Sequence, residues 1–197
     1  MPVIALSDLV TEISTRAPVG ATRLVGIDGP AGAGKTTLAN RLAAVADAPI
    51  VATDDFTSWS DFAGWWPRFE TEVVTPLLAG RDARYRVRDW MGDEYGDGLN
   101  GWKTTRCAPI VILEGVTSTR AAIADRLTYR IWVEAPVDLR RERSIARDGE
   151  QYRDVFAQWW AQEDAFFPAD GARGRADLVV DGAATESHDP ETQVVTR

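Results

Sequence analysis

Short apolar runs and longer amphipathic segments alternate along most of the chain. Leu24-Val25-Gly26-Ile27, within 23–28, is the first run that reads as a buried strand. Ile50-Val51-Ala52-Thr53, Pro109-Ile110-Val111-Ile112-Leu113, Tyr129-Arg130-Ile131-Trp132-Val133 and Ala176-Asp177-Leu178-Val179-Val180 follow it. Helices are expected over 3–16, 37–42, 64–78, 120–126, 137–147 and 152–167; in the first, Ile4, Leu6, Leu9, Val10 and Ile13 fall at mostly helical spacing. Pro67 suits the first turn of the third helix, where a missing N–H costs nothing. Strands apolar throughout, alternating with helices, predict an α/β architecture with a parallel sheet covered on both faces.

Two stretches break the pattern. Residues 81–106 dissolve into charges, glycines and aromatics, with at most a short strand over 85–90. A long irregular stretch in a compact domain is more often a functional loop than spare chain. Residues 183–197 are polar and weakly patterned, so a frayed or surface-lying tail is expected. The reading is one domain over 1–182, with an irregular insertion at about 56–106, a lid-like helical segment at about 140–150, and the tail.

Between the first strand and its helix lies Gly29-Pro30-Ala31-Gly32-Ala33-Gly34-Lys35-Thr36, which fits G-x-x-x-x-G-K-[ST]. Glycine lets the backbone curl until successive N–H groups point at one anion. Gly29, Ala31, Gly32, Ala33, Gly34, Lys35, Thr36 and Thr37 are therefore the candidate phosphate contacts. Lys35 adds a point charge for the terminal phosphates and Thr36 a hydroxyl for Mg²⁺. The strand–loop–helix context is the one this motif requires, whereas an ordinary glycine-rich turn would not need it.

In a parallel sheet, ligands bind beyond the carboxyl ends of the strands. Asp54, Asp55 and Glu114 each follow a predicted strand and should meet the loop in one crevice. There they could complete a Mg²⁺ site with Thr36, or accept a proton from an acceptor hydroxyl. Asp54-Asp55 would otherwise serve as a cap or turn pair, and Glu114 as a solvated strand end. Arg140, Arg143 and Arg147 share one helix face, either gripping phosphates or pairing in solvent with Glu142 and Asp138. Of the eight tryptophans, Trp59, Trp65, Trp66, Trp90 and Trp102 cluster around the insertion, as core and loop anchors or as a wall for a ring.

The net charge of −8 argues against nucleic acid or an anionic membrane as partner. No apolar run approaches the ~20 residues of a membrane span, and Asp8 and Glu12 interrupt any signal-like stretch. One cysteine, Cys107, excludes an intrachain disulfide, and a cytoplasmic setting is expected. With His188 the only histidine, a zinc site or a Ser-His triad has no basis.

The loop, Thr53-Asp54-Asp55-Phe56, Ile112-Leu113-Glu114-Gly115-Val116, the R-x-x-R-x-x-x-R-D helix from Arg140 to Asp148, and Ala176-Asp177-Leu178-Val179-Val180-Asp181-Gly182 occur in this order. Together they resemble the uridine kinase-like branch of P-loop kinases, which includes phosphoribulokinase and pantothenate kinase, over about 22–182. The resemblance implies a three-layer P-loop fold on a five-stranded parallel sheet. It also implies transfer of a phosphoryl group from ATP, with Mg²⁺, to a hydroxyl of a small molecule, by a monomer or homodimer. On that reading Lys35, Asp54, Arg143 and Arg147 are catalytic, with Asp55 as the alternative base. Arg140 and Arg143 hold the nucleotide, and Thr36, Asp54 and Glu114 hold the metal. Asp54, Asp55 and Glu114 face the acceptor; Tyr85, Arg88 and Asp89 join them where the family often carries a Tyr-Asp pair. Two other readings stay open: a monophosphate kinase using Arg84, Arg86 and Arg88, and a nucleotide-gated regulator, although the Asn-Lys-x-Asp element of guanine-specific switches is absent.

Overall fold

The structure, a computed structural model, describes residues 1–197. Five strands form one parallel sheet: β2 (Arg23–Asp28), β3 (Ile50–Ala52), β6 (Ile110–Glu114), β7 (Tyr129–Glu134) and β8 (Leu178–Asp181), in the order β3-β6-β2-β7-β8. The α/β expectation holds. β2 lies at the centre, and the chain crosses to β3 on one side of it and to β7 on the other. Its carboxyl end is therefore the place where the crossovers diverge and a crevice opens.

Alternation along the central strands divides the core. Val25 and Ile27 of β2, with Ile110 and Ile112 of β6, face α1 (Leu6–Thr15) and α2 (Lys35–Ala46), which present Leu6, Leu9, Ile13, Leu38 and Leu42. Leu24, Val111 and Leu113 point the other way, onto Phe69, Val73, Val74 and Leu77. Those four lie on a continuous helix over 66–78 built from α3 (Trp66–Phe69), a π-helical turn (Glu70–Val74) and α4 (Thr75–Leu78). Fully burying one such aliphatic side chain stabilises by about 1.5–3 kcal/mol, so both faces contribute heavily.

The irregular stretch is partly regular after all. β4 (Ala83–Arg88) and β5 (Leu99–Thr105) pair as an antiparallel hairpin with a shift between Arg86 and Val87. Its buried side carries Ala83 and Tyr85, while Arg84, Arg86 and Trp102 face solvent. The first predicted helix is shorter than expected, because Val3–Ala5 forms β1. Its partner is β9 (Gln193–Val195), antiparallel, so the tail is neither frayed nor loose. Val194 and Val195 are buried, and Arg197 donates to Asp181 (2.8 Å) and Glu134 (3.0 Å). The pairing joins opposite ends of the chain, which no local pattern could announce. Residues 121–126 form a 3₁₀ turn. Two longer helices follow β7: α5 (Val137–Asp148) and α6 (Arg153–Asp170), with the short α7 (Ala172–Arg175) after them.

Candidate active site

β2 ends in Asp28, fully buried, whose carboxylate gathers the crevice together. It accepts hydrogen bonds from the N–H groups of Gly29 (2.7 Å), Thr117 (2.8 Å) and Thr119 (2.8 Å) and from Thr119 Oγ1 (2.9 Å). The start of the phosphate loop is thereby tied to the segment that follows β6. Burial pushes the Asp28 carboxyl above the ordinary range, against the pull of these donors. Close approach also explains Gly32: its φ is +75°, and a Cβ there would collide with the Arg140 carbonyl.

The loop is clamped from outside as well. Glu163 of α6 is 2% exposed; its Oε1 accepts from Ala31 N–H (2.7 Å) and Trp159 Nε1 (3.0 Å). Arg140 Nη1 lies 3.6 Å from Glu163 Oε2 and donates to the Ala31 carbonyl at 3.3 Å. Lys35, the first residue of α2, sends Nζ back to the Pro30 carbonyl at 3.0 Å. Gly34, left-handed at φ +104°, turns the loop into that helix, whose positive end faces the crevice.

A cavity of about 830 Å³ opens at these strand ends, and Lys35, Thr36, Asp54, Glu114, Arg143 and Arg147 all line it. Thr36 Oγ1 donates to Glu114 Oε1 at 3.1 Å, which joins a hydroxyl and a carboxylate as a metal would require. Asp54 is exposed to solvent through the cavity, with protein atoms crowded around its carboxyl. Loss of bulk water drives its carboxyl up, and Lys35 and then Arg147 pull it back down. Glu114 is also raised, by burial first; Lys35 opposes the shift and Asp54 adds to it. Arg147 makes a two-point contact with Asp148 (2.8 and 2.7 Å), and Arg143 donates to the Gly182 carbonyl at 2.9 Å.

The adjacent acid is differently placed. Asp55 Oδ2 accepts from Lys103 Nζ (2.8 Å) and from Tyr85 OH (3.3 Å), behind the cavity wall. Tyr85 is buried, and burial pushes its phenol up. Arg88 is buried too, donating to the carbonyls of Asp89 (2.8 Å), Gly98 (3.3 Å) and Asp93. Asp89 accepts from Gly92 N–H at 2.9 Å. Of the expected acceptor contacts, Asp54 and Glu114 thus reach the cavity. Asp55, Tyr85, Arg88 and Asp89 bond to the protein's own groups and do not line it. Arg140 likewise supports the loop from behind, although Arg143 and Arg147 of the same helix reach the cavity. Helical spacing alone cannot show that the first turn of α5 is pinned by Glu163.

Residues the motifs did not single out complete the wall. Trp59, Trp90, Tyr152, Phe156 and Trp159 give the cavity an aromatic side that Glu94 also lines, and Trp159 reaches the loop itself through Glu163. Trp59 is edge-on to Trp90 (5.8 Å), Phe156 (5.2 Å) and Trp159 (5.7 Å) and lies face-to-face with Tyr152 at 6.3 Å. A second cavity of about 500 Å³ adjoins the first: Gly34, Thr37 and Arg143 border both, and His188 and Gln193 of the tail line its far side. No group of three carboxylate, imidazole or thiol side chains able to hold a metal ion is present. No helix is long and apolar enough to cross a membrane.

No family model matches the chain, and no curated protein matches it in sequence. Solved structures do. A protein described as a possible uridine kinase, from Bacillus stearothermophilus, superposes with a TM-score of 0.66 at 19% identity, covering 88% of this chain and 96% of its own. D-glycerate 3-kinase from Cryptococcus neoformans var. grubii gives 0.56 at 14% identity, covering 92% and 97%. At such identities the likeness speaks for the fold alone, a five-stranded parallel sheet between two helical layers.

Proposed function

We propose that this chain transfers the γ-phosphoryl group of ATP to a hydroxyl of a small molecule. One observation carries the reading: Lys35, Thr36, Asp54, Glu114, Arg143 and Arg147, drawn from four separate segments, share the wall of a single cavity. The loop amides and the N-terminus of α2 seat the phosphates, and Lys35 neutralises their terminal charge. The smaller cavity is the space for the base and sugar, since it meets the larger one at Gly34, Thr37 and Arg143.

Thr36 and Glu114, already bonded to each other, would hold Mg²⁺ with Asp54 beside them; phosphate oxygens and water fill the remaining positions, as this metal prefers. Bound there, it would offset negative charge on the β- and γ-phosphates. Asp54 accepts the proton of the acceptor hydroxyl as its oxygen bonds to the γ-phosphorus and the bond to the β-bridging oxygen breaks, releasing ADP. A carboxyl raised toward working pH suits that task. Asp55 is the poorer base, because Lys103 and Tyr85 already occupy it. Arg143 and Arg147 neutralise the charge that spreads over the transferring group.

Screening a library of hydroxyl compounds with ATP and Mg²⁺ by mass spectrometry tests the reading. A gain of one phosphoryl group on a specific compound is expected, and lost in Lys35→Ala. ATP binding with no transfer to any member would instead fit a nucleotide-gated regulator. The monophosphate kinase reading lacks support: Arg84 stacks on Trp102 (4.3 Å), Arg86 donates to Leu99, and Arg88, which does not line the cavity, spends Nη1 and Nη2 on carbonyls.

A further inference from the structure

We infer that the acceptor alcohol carries a protonated amine, seated among Trp59, Trp90 and Tyr152 and facing Glu94. The inference rests on the kinase reading for the role of the cavity and adds the chemical class of what enters it. Its first support is the distribution of charge. The cations on the wall, Lys35, Arg143 and Arg147, belong to the loop and α5, and Arg147 is already matched by Asp148. None comes from the insertion. Lys103 is bound to Asp55, and Arg88 is absent from the cavity wall, 4.8 Å from the Trp90 ring centre, with Nη1 and Nη2 on backbone carbonyls and Nε buried without a partner. An acceptor with its own phosphate or carboxylate would find no free partner here, and an unmatched charge is costly to bury.

The second support is the loop over 89–98, which lines the cavity with Trp90, Met91 and Glu94 and carries Asp89, Asp93 and Asp97 beside them without one Lys or Arg. The three aspartates are used locally. Asp89 accepts from Gly92 N–H (2.9 Å), Asp93 from Gly98 N–H (2.7 Å), and Asp97 from Ser60 (3.1 Å) and Ser58. Of the loop's acids, Glu94 alone lines the cavity. Tyr152 OH donates to its Oε1, and its Oε2 has no hydrogen-bond partner. A carboxylate fixed through one oxygen, with the other free beside electron-rich ring faces, is complementary to an ammonium group. The surrounding acids also raise the local concentration of cations. A neutral polyol would gain from the rings but draw nothing from this field.

Matched pairs provide the test: glucosamine against glucose, and 3-hydroxypiperidine against 3-hydroxytetrahydropyran. Binding is read by tryptophan fluorescence without ATP, and transfer is read separately. The amine of at least one pair should bind tenfold or more tighter than its oxygen counterpart, and Glu94→Gln should bring that ratio close to one with ATP affinity unchanged. Equal binding within both pairs, no binding by either amine, or a ratio untouched in Glu94→Gln would overturn the inference. Amine-selective binding that depends on Glu94 but leads to no phosphorylation supports it and faults the kinase reading alone.

Discussion

The two ends of the large cavity are built by different means. At the proposed phosphate end the groups offered to a ligand are mainly backbone amides, held by a scaffold of buried side chains: Asp28 under the loop, Glu163 and Arg140 outside it. At the proposed acceptor end the groups are side chains, the rings of Trp59, Trp90 and Tyr152 and the carboxylate of Glu94, mounted on irregular segments and just ahead of α6. Backbone recognition fixes geometry for any polyphosphate, whereas side-chain recognition can be re-cut for a new acceptor without disturbing the first. The comparison makes a separable claim: changes at one end should alter nucleotide handling and at the other only the choice of acceptor.

The sharpest break should come at the phosphate end. Lys35→Ala removes the charge nearest the transferring group, and steady-state kinetics should show kcat down about 10²–10³-fold, the loss typical of one transition-state donor. The scaffold can be separated from chemistry by Glu163→Ala, which leaves Arg140 and the Ala31 N–H buried without their partner. Denaturant unfolding should report a loss of about 3 kcal/mol, as for other broken buried ion pairs. At the acceptor end, Trp59→Ala should raise the acceptor KM about tenfold through lost ring contact while the KM for ATP stays put. Equal changes in both would merge the two ends into one.

The smallest effect concerns pH. Asp54 is raised in the folded chain, so its neutral form favours folding; the stability it adds is present at low pH and is lost as pH rises through the folded-state value. Asp54→Asn should therefore raise the Tm at neutral pH, with the gap closing as the medium is acidified below the ordinary carboxylate range. The acid limb of the wild-type rate should fall at a pH above that range, because the base must be ionised to act.

Much of the phosphate end is legible in sequence because its signals are local. The loop, α2 and the acids at the tips of β3 and β6 each announce themselves within a few residues, and the sheet rule brings them together. Asp28 was equally near at hand, but nothing in a lone aspartate at a strand end discloses four converging donors. The rest depends on distance. Glu163 meets Ala31 across 132 residues, and Tyr152 meets Glu94 across 58. Tryptophans were countable, yet only the folding of α6 against 59–62 and 90–94 makes five rings one wall. The β1–β9 pair failed to register for the same reason: each strand is three residues long, too short for a period to show. Arg140 is the instructive intermediate case, where correct helical spacing named the right face but could not see the ion pair that turns its first turn inward.

The central claim, that Asp54 completes a phosphoryl-transfer site around the loop, is tested most directly by single-turnover transfer with Asp54→Asn beside equilibrium binding of ATP with Mg²⁺. The account predicts ATP affinity near that of the wild type and transfer slowed about 10²–10⁴-fold, the usual contribution of a positioned base. Transfer at the wild-type rate would contradict it.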